Sequence, residues 1–124
     1  MAAYFHNDIY DLGLTELDTD ANALHICTQQ PATYAEATST YTKGNKTSIT
    51  VSAPGARAGG GREVTVSAIT DGAVTGDGTV THYALVDTGT SRLLVAQSLS
   101  ASKAVNNGDV FTVASFKVGI PAPS

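Results

Sequence analysis

The amino-acid sequence predicts a mainly β fold, an antiparallel β-sandwich or barrel of about six to eight strands with one short N-terminal helix. Segments of alternating apolar and polar residues recur about every ten residues, and glycine-containing turns divide them. Only 15% of the residues are charged, and 12 glycines and many threonines take their place. Because β-branched threonine fits a pleated strand, this composition favours sheets whose faces are covered by neighbouring groups.

The whole chain is predicted to form a single β-sandwich domain, since 124 residues are the size of one ordinary domain. Within it we expect a helical segment at 1–22, strands over 23–120 and a proline-rich tail at 121–124. The helix is expected at Asn7–Thr19, where Asn7 or Asp8 can cap the first turn. Gly13 in its middle disfavours the helix by about 1 kcal/mol relative to alanine.

Two strands are predicted in the first half of the chain. Leu24–Thr28 alternates apolar and polar residues and ends before Pro31, and Ser48–Ala53 alternates again. Between them, residues 31–46 are expected to be irregular, apart from one helical turn at Thr33–Ala37.

The middle of the chain is predicted to hold a loop, a strand and a turn region. Pro54–Gly61 is rich in glycine and is the most flexible-looking loop of the sequence. Arg62–Ile69 is expected to be a strand that turns Val64 and Val66 inward. Asp71–Gly78 is expected to be a turn region, because it begins and ends with an Asp-Gly pair.

The last third of the chain predicts three strands joined by tight turns. Thr79–Asp87 and Arg92–Leu99 are the first two, separated by a short polar break. Asn107–Gly108 is the sharpest turn signal, because both residues tolerate a positive φ in a two-residue hairpin. Residues 109–120 are then expected to form one long last strand.

The charge and hydropathy patterns exclude nucleic acid and membranes as partners. The net charge is -4, and the seven Lys and Arg residues are scattered singly, so no basic stripe can follow a phosphate backbone. No apolar run approaches the ~18 residues of a membrane-spanning helix. The first residues lack the basic and apolar regions of a signal peptide, so synthesis in a cytoplasm is expected.

No catalytic, metal or cofactor site is predicted. His6, His25 and His82 lie in three different segments without the spacing of metal ligands. Cys27, the single cysteine, is expected to be a small buried thiol rather than a nucleophile. The glycines at 59–61 lack the Lys-Ser/Thr sequence of a phosphate-binding loop, and nothing nominates a catalytic pair among the 11 acidic residues. The sequence therefore predicts a protein that is not an enzyme.

Several segments carry a resemblance to a known group of proteins. They are Gly78–Asp87 (Gly-Thr-Val-Thr-His-Tyr-Ala-Leu-Val-Asp), Leu93-Leu94 with Leu99, Val105–Asp109, and Ala23–Cys27 followed by Pro31–Tyr34. Together they resemble small virion structural proteins of tailed bacteriophages, often described as tail-fibre-like. The resemblance implies a structural component of the virion that is made in the host bacterial cytoplasm. It brings no catalytic residues with it.

Two positions on a virion, and one binding role, follow as hypotheses from this resemblance. The first is a capsid decoration or cement protein, which the small size and the absence of coiled-coil heptads or a shaft favour. The alternative is a tail, baseplate or fibre-associated structural module. A carbohydrate-binding module that aids adsorption is a third hypothesis. The expected partners are other copies of the chain, with a trimer favoured, and virion proteins such as the major capsid protein or tail proteins.

Six large side chains are predicted to form contacts with partners. They are Tyr4, Phe5, Ile9, Tyr10, Tyr34 and Tyr41. Tyrosine and phenylalanine are common both at interfaces and in cores, so the alternative is that these residues only cover the end of the sandwich. Residues 31–46 and the proline-rich end are expected to act as docking segments.

Overall fold

The computed structural model describes the backbone of residues 7–121, and within that range the side chains of all residues except 7–12 and 100. In chain order the elements are α1 (Asn7–Asp20), β1 (Ala23–Cys27), a π-helix (Glu36–Thr40), β2 (Thr42–Thr47), β3 (Gly55–Ala56), β4 (Arg62–Val66), β5 (Ile69–Val74), β6 (Gly78–Asp87), β7 (Arg92–Val105), β8 (Val110–Val113) and β9 (Phe116–Ile120). The mainly β fold with one short N-terminal helix is confirmed. The nine strands of the described range exceed the six to eight predicted, and β3 contributes only two residues.

The strands form two antiparallel sheets. The larger sheet has six strands in the order β7-β6-β1-β2-β5-β8, and the smaller has three in the order β3-β4-β9. Within residues 7–121, β7 and β8 end the larger sheet and do not pair with each other, so the barrel is not closed.

The main core lies between the inner face of the six-stranded sheet, the three-stranded sheet and α1. Leu24 of β1, Leu85 of β6, and Val64 and Val66 of β4 are completely buried there. Complete burial of such side chains contributes about 1.5–3 kcal/mol each. These residues occupy alternate positions of their strands, so the period of two in the sequence is the cause of this layer.

Helix α1 confirms the predicted helix to within one residue at its end. Leu14 and Leu17 are buried in the core. Gly13 does not interrupt the helix, and a β-carbon at that position would stand 3.8 Å from Ile120 Cδ1 of β9. The tertiary contacts of the apolar stripe therefore outweigh the helix-disfavouring effect of glycine.

The prediction of irregular structure over residues 31–46 was wrong for its second half. The helical turn at Thr33–Ala37 leads into the π-helix, and β2 then lies in the middle of the large sheet. The sequence of β2, Thr-Lys-Gly-Asn-Lys-Thr, carries no apolar side chain and so gives no alternation signal. At Gly44 a β-carbon would stand 2.5 Å from the Ala73 carbonyl oxygen, so this glycine permits the close approach of β5.

Two further predictions in the middle of the chain were wrong. Ser48–Ala53 does not form a strand, and only Val51 makes an isolated bridge, to Val66. The predicted turn region Asp71–Gly78 instead contains most of β5 and the start of β6. Gly72 lies within β5, and the chain does not turn there. A glycine is required at this position because the Phe111 ring packs where a side chain would be.

Two of the predicted strands, Arg62–Ile69 and residues 109–120, are each divided between the two sheets. Arg62–Ile69 separates into β4 of the small sheet and the start of β5 in the large one, and residues 109–120 separate into β8 and β9 in the same way. β7 continues to Val105 instead of ending at Leu99. Alternation continues across each change of sheet, so the sequence pattern does not mark the bend.

The predicted turn at Asn107–Gly108 is present, but it does not form a hairpin. Gly108 has a φ of 93°, as the turn prediction requires. The strands on its two sides are β7 and β8, which lie at opposite ends of the six-stranded sheet. The turn is held by a hydrogen bond from the Gly108 N–H to the Val74 carbonyl oxygen, at 2.9 Å.

Candidate interaction site

The structure describes only part of the predicted contact set. Tyr4 and Phe5 lie outside the described residues, and Ile9 and Tyr10 lie in α1 without described side chains. Tyr34 and Tyr41 flank the π-helix and lie together against the outer face of the large sheet. Their role as contact residues stays a prediction.

Tyr34 and Tyr41 pack on a second, smaller cluster of buried residues. Its members are small or apolar side chains of the π-helix, β1 and β6: Ala23, Cys27, Ala37, Ala84 and Val86. The Tyr41 hydroxyl lies 3.4 Å from Glu36 Oε2, while Glu36 Oε1 accepts a 2.8 Å hydrogen bond from the Ala32 N–H. Both rings are half-buried, because one side of each ring packs against this cluster and is not available to a partner.

Two titratable side chains on the outer face, His25 and Cys27, are buried. His25 Nδ1 lies 2.9 Å from Thr42 Oγ1, and burial lowers the pKa of this histidine. Burial also raises the pKa of the Cys27 thiol to about 11, and its Sγ lies 3.7 Å from the Ala37 carbonyl oxygen. A thiol with so high a pKa is a poor nucleophile at neutral pH, as the sequence predicted.

A single guanidinium joins α1 to the turn between β6 and β7. Arg92 Nη2 lies within 3.2 Å of carboxylate oxygens of Glu16, Asp20 and Asp87. The hydroxyl of Thr90 donates a 2.7 Å hydrogen bond to Asp87, and this bond, with that from Arg92, lowers the pKa of Asp87. Three carboxylates share one cation, so this end of β7 keeps a net negative charge.

An apolar groove runs along the inner side of β7, between β7 and the chain segment that forms β8 and β9. We call it the edge groove. Its lining residues from β7 are Leu94, Val95, Gln97, Ser98, Leu99, Ala101, Lys103 and Val105, and those from the opposite bank are Phe111, Thr112, Val113, Ala114, Ser115, Phe116, Val118 and Ile120. Gly13, Leu14, Glu16 and Leu17 of α1 close one end.

Cavities of about 250, 350 and 170 Å³ follow one another along the edge groove, from the α1 end to the Val105 end. At its middle the Tyr83 hydroxyl donates a 2.7 Å hydrogen bond to Gln97 Oε1, and the centroids of the Tyr83 and Phe116 rings are 4.6 Å apart. This groove was not predicted from the amino-acid sequence. One signal was present, a run of ten residues, Leu93–Ser102, without charge or proline in what proves to be an edge strand.

Comparison with protein families identifies the group to which this fold and surface belong. Residues 1–120 match the family model of the podophage GP4 fiber I protein gp80. The chain belongs to this gp80 fibre family. The resemblance to tailed-phage virion structural proteins is thereby confirmed. Neither the search of curated proteins nor that of solved structures found a match.

Membership of the gp80 family makes the chain a virion component that is made in the host cytoplasm. The family is one of structural fibre proteins. Over the side chains that the structure describes, no group of three or more His, Cys, Asp and Glu is placed to hold a metal ion. In the same part of the chain, no helix has the length and apolar character to cross a membrane.

Proposed function

We propose that this gp80-family protein is a structural module of the tail-fibre apparatus of a podophage and that it joins other virion polypeptides through its surfaces. The observation that carries the proposal is the family match over residues 1–120. Capsid decoration, the position that the small size favoured, has no support from that match. The alternative of a tail, baseplate or fibre-associated module agrees with it better.

The described surface supports a binding role of this kind. Within residues 7–121 no strand pairs with the outer edge of β7, and the edge groove beside it is lined mainly by apolar side chains. Edge strands that stay exposed are usually blunted by charge or proline, and Leu93–Ser102 has neither. An uncharged edge beside an apolar groove is suited to lasting contact with another polypeptide.

A carbohydrate-binding role has less support from the described residues. A sugar site usually needs the open face of an aromatic ring, and Tyr34 and Tyr41 use ring surface against the outer-face cluster. Association with other copies of the chain, as a trimer, remains part of the proposal and follows from the symmetry usual in such assemblies.

The test is to count and locate the protein in purified particles. Quantitative mass spectrometry against the major capsid protein gives the copy number, and gold-labelled antibody in electron micrographs gives the position. A small number of copies with label at the tail is the expected result. A ratio near one to one with label over the head would overturn the tail assignment in favour of decoration, and absence from the particle would overturn both.

A further inference from the structure

We propose that the edge groove binds one extended segment of another virion polypeptide, which adds to β7 as a β-strand. This inference rests on the proposed function, because it names the kind of partner through which the module is attached. The structure supplies three separate reasons, which concern the backbone edges, the apolar lining and the charges at the two ends.

The first reason is that the groove lies between unpaired strand edges. β7 and β8 end the six-stranded sheet and β9 ends the three-stranded sheet, and within residues 7–121 none of them pairs across the groove. Each edge strand therefore directs backbone N–H and C=O groups of alternate residues away from its own sheet. A segment laid along β7 can take up these hydrogen bonds, which is the usual mode of strand addition.

The second reason is that the interior of the groove is apolar and open. Leu99 and Val113 line two adjacent cavities from opposite banks, and Ala101 and Ala114 leave room beside them. A strand directs alternate side chains to one face, so every second side chain of the added segment would enter these cavities. The partner segment should therefore carry apolar residues at alternate positions.

The third reason is that the charges at the two ends have opposite sign. At the α1 end, Glu16, Asp20 and Asp87 share the single cation of Arg92. At the other end, Lys103 is the charged residue that lines the groove. Electrostatic complementarity selects a segment with an uncharged centre, a basic residue toward α1 and an acidic residue toward Lys103, and it also sets the direction of the segment.

A second copy of the folded chain does not meet these requirements. Every strand of residues 7–121 already pairs within a sheet. If β7 of another copy were laid along β7, its own neighbour β6 would come with it toward the β8–β9 bank. A groove between two banks therefore accepts a segment that belongs to no sheet, as an extended arm or linker of a different protein does.

The test is site-specific photo-crosslinking in assembled particles. p-Benzoylphenylalanine replaces Ala101 on one bank or Ala114 on the other, and both positions are exposed in the described structure. Ser39→p-benzoylphenylalanine is the control, because Ser39 is exposed on the π-helix and does not line the cavities. Both groove positions are expected to cross-link to one segment of a second virion protein, with about six consecutive uncharged residues and alternating apolar ones.

A synthetic peptide of that segment is then tested for binding to the purified full-length protein. Ala114→Lys, which places a charge in the groove from an exposed position, is expected to weaken binding about tenfold or more, and Ser39→Lys is expected to leave it unchanged. The inference is overturned if the cross-links reach only copies of this chain, including its own termini, if they reach no chain, or if Ala114→Lys binds like the unmodified protein. Copy number and tail labelling are measured on the same particles. A result that overturns the binding of a segment in the edge groove is therefore distinguishable from one that overturns the proposed function.

Discussion

Arg92 and Asp87 lie at the two ends of the β6–β7 turn, with Arg92 Nη2 3.2 Å from Asp87 Oδ2. The same guanidinium reaches Glu16 and Asp20 of α1, so the turn and the helix are joined at this point. The Gly89 N–H donates to Asp87 Oδ1, and the Thr90 hydroxyl donates to Oδ2, the oxygen that Arg92 also contacts. This carboxylate therefore organises the turn that positions the start of β7.

The Asp87 contacts predict a loss of stability in acid. The Thr90 hydroxyl and Arg92 lower the pKa of Asp87, so the folded state binds its proton less readily than the unfolded state, whose carboxyl pKa is near 3.8. This contribution to stability is present above that pH and is lost as the pH falls below it. The Asp87→Asn variant should have a lower Tm at pH 7 and a smaller fall in Tm between pH 5 and pH 2. An equal fall in the two proteins would contradict the role of Asp87.

Burial of His25 predicts a second pH dependence at a higher pH. Because burial lowers the pKa of His25 below 6.5, the unfolded state binds a proton first as the pH falls. Stability should therefore decrease as the pH falls below 6.5 and level off below the folded-state pKa. The His25→Gln variant should lack this component in urea unfolding measured from pH 7.5 to 5. A wild-type slope in the variant would refute the assignment.

Adding a single methyl group at Gly72 should lower the free energy of unfolding substantially. The Phe111 ring occupies the position of a β-carbon at Gly72, so Gly72→Ala should destabilise the fold by about 1–3 kcal/mol through displacement of a buried ring. Gly55→Ala is the matched control, because a β-carbon there meets no atom within 4 Å. Urea unfolding curves of the two variants measure the difference. Equal stability of the two would show that Phe111 moves without cost.

The Cys27 thiol should be unreactive in the folded protein. A pKa of about 11, against an ordinary value of 9.0, reduces the thiolate fraction at neutral pH about a hundredfold, and complete burial reduces access further. Ellman's reagent should therefore label the single thiol slowly in buffer and fully in guanidinium chloride. The chain has one cysteine, so the signal needs no deconvolution. Rapid labelling in buffer would show that the π-helix opens readily above Cys27.

Alternation of apolar and polar residues identified the buried strands well. β1 and β6 lie where the sequence placed them, because Leu24, Ile26 and Leu85 mark one face and form the core. β2 was missed because its residues are polar or glycine, and its place in the sheet depends on backbone pairing to β1 and β5. The alternation of apolar and polar side chains predicts which residues are buried, but it does not predict which distant segments a strand will pair with through its backbone.

The glycines predicted turns correctly at some positions and wrongly at others, because the sequence around a glycine does not show which distant segments come close to it. Gly108 has the positive φ that a turn requires, so the predicted turn is present there, but the predicted hairpin is not. Gly72 and Gly44 are instead places where another chain segment comes close. Local sequence cannot distinguish a glycine that turns from a glycine that makes room, because the second depends on a residue far along the chain, such as Phe111.

The amino-acid sequence alone was enough to predict the strand-rich class, the N-terminal helix, the buried thiol and the resemblance to phage virion proteins. The first three follow from local periodicity, capping and composition, whereas the resemblance rests on particular segments such as Gly78–Asp87. The three-dimensional fold was needed to show that residues 62–74 and 110–120 each change sheets, that β7 and β8 end the large sheet, and that an edge groove lies between them. The groove is formed by residues up to about a hundred positions apart, from α1 to β9, and such long-range pairing is chosen by the packing of the whole core.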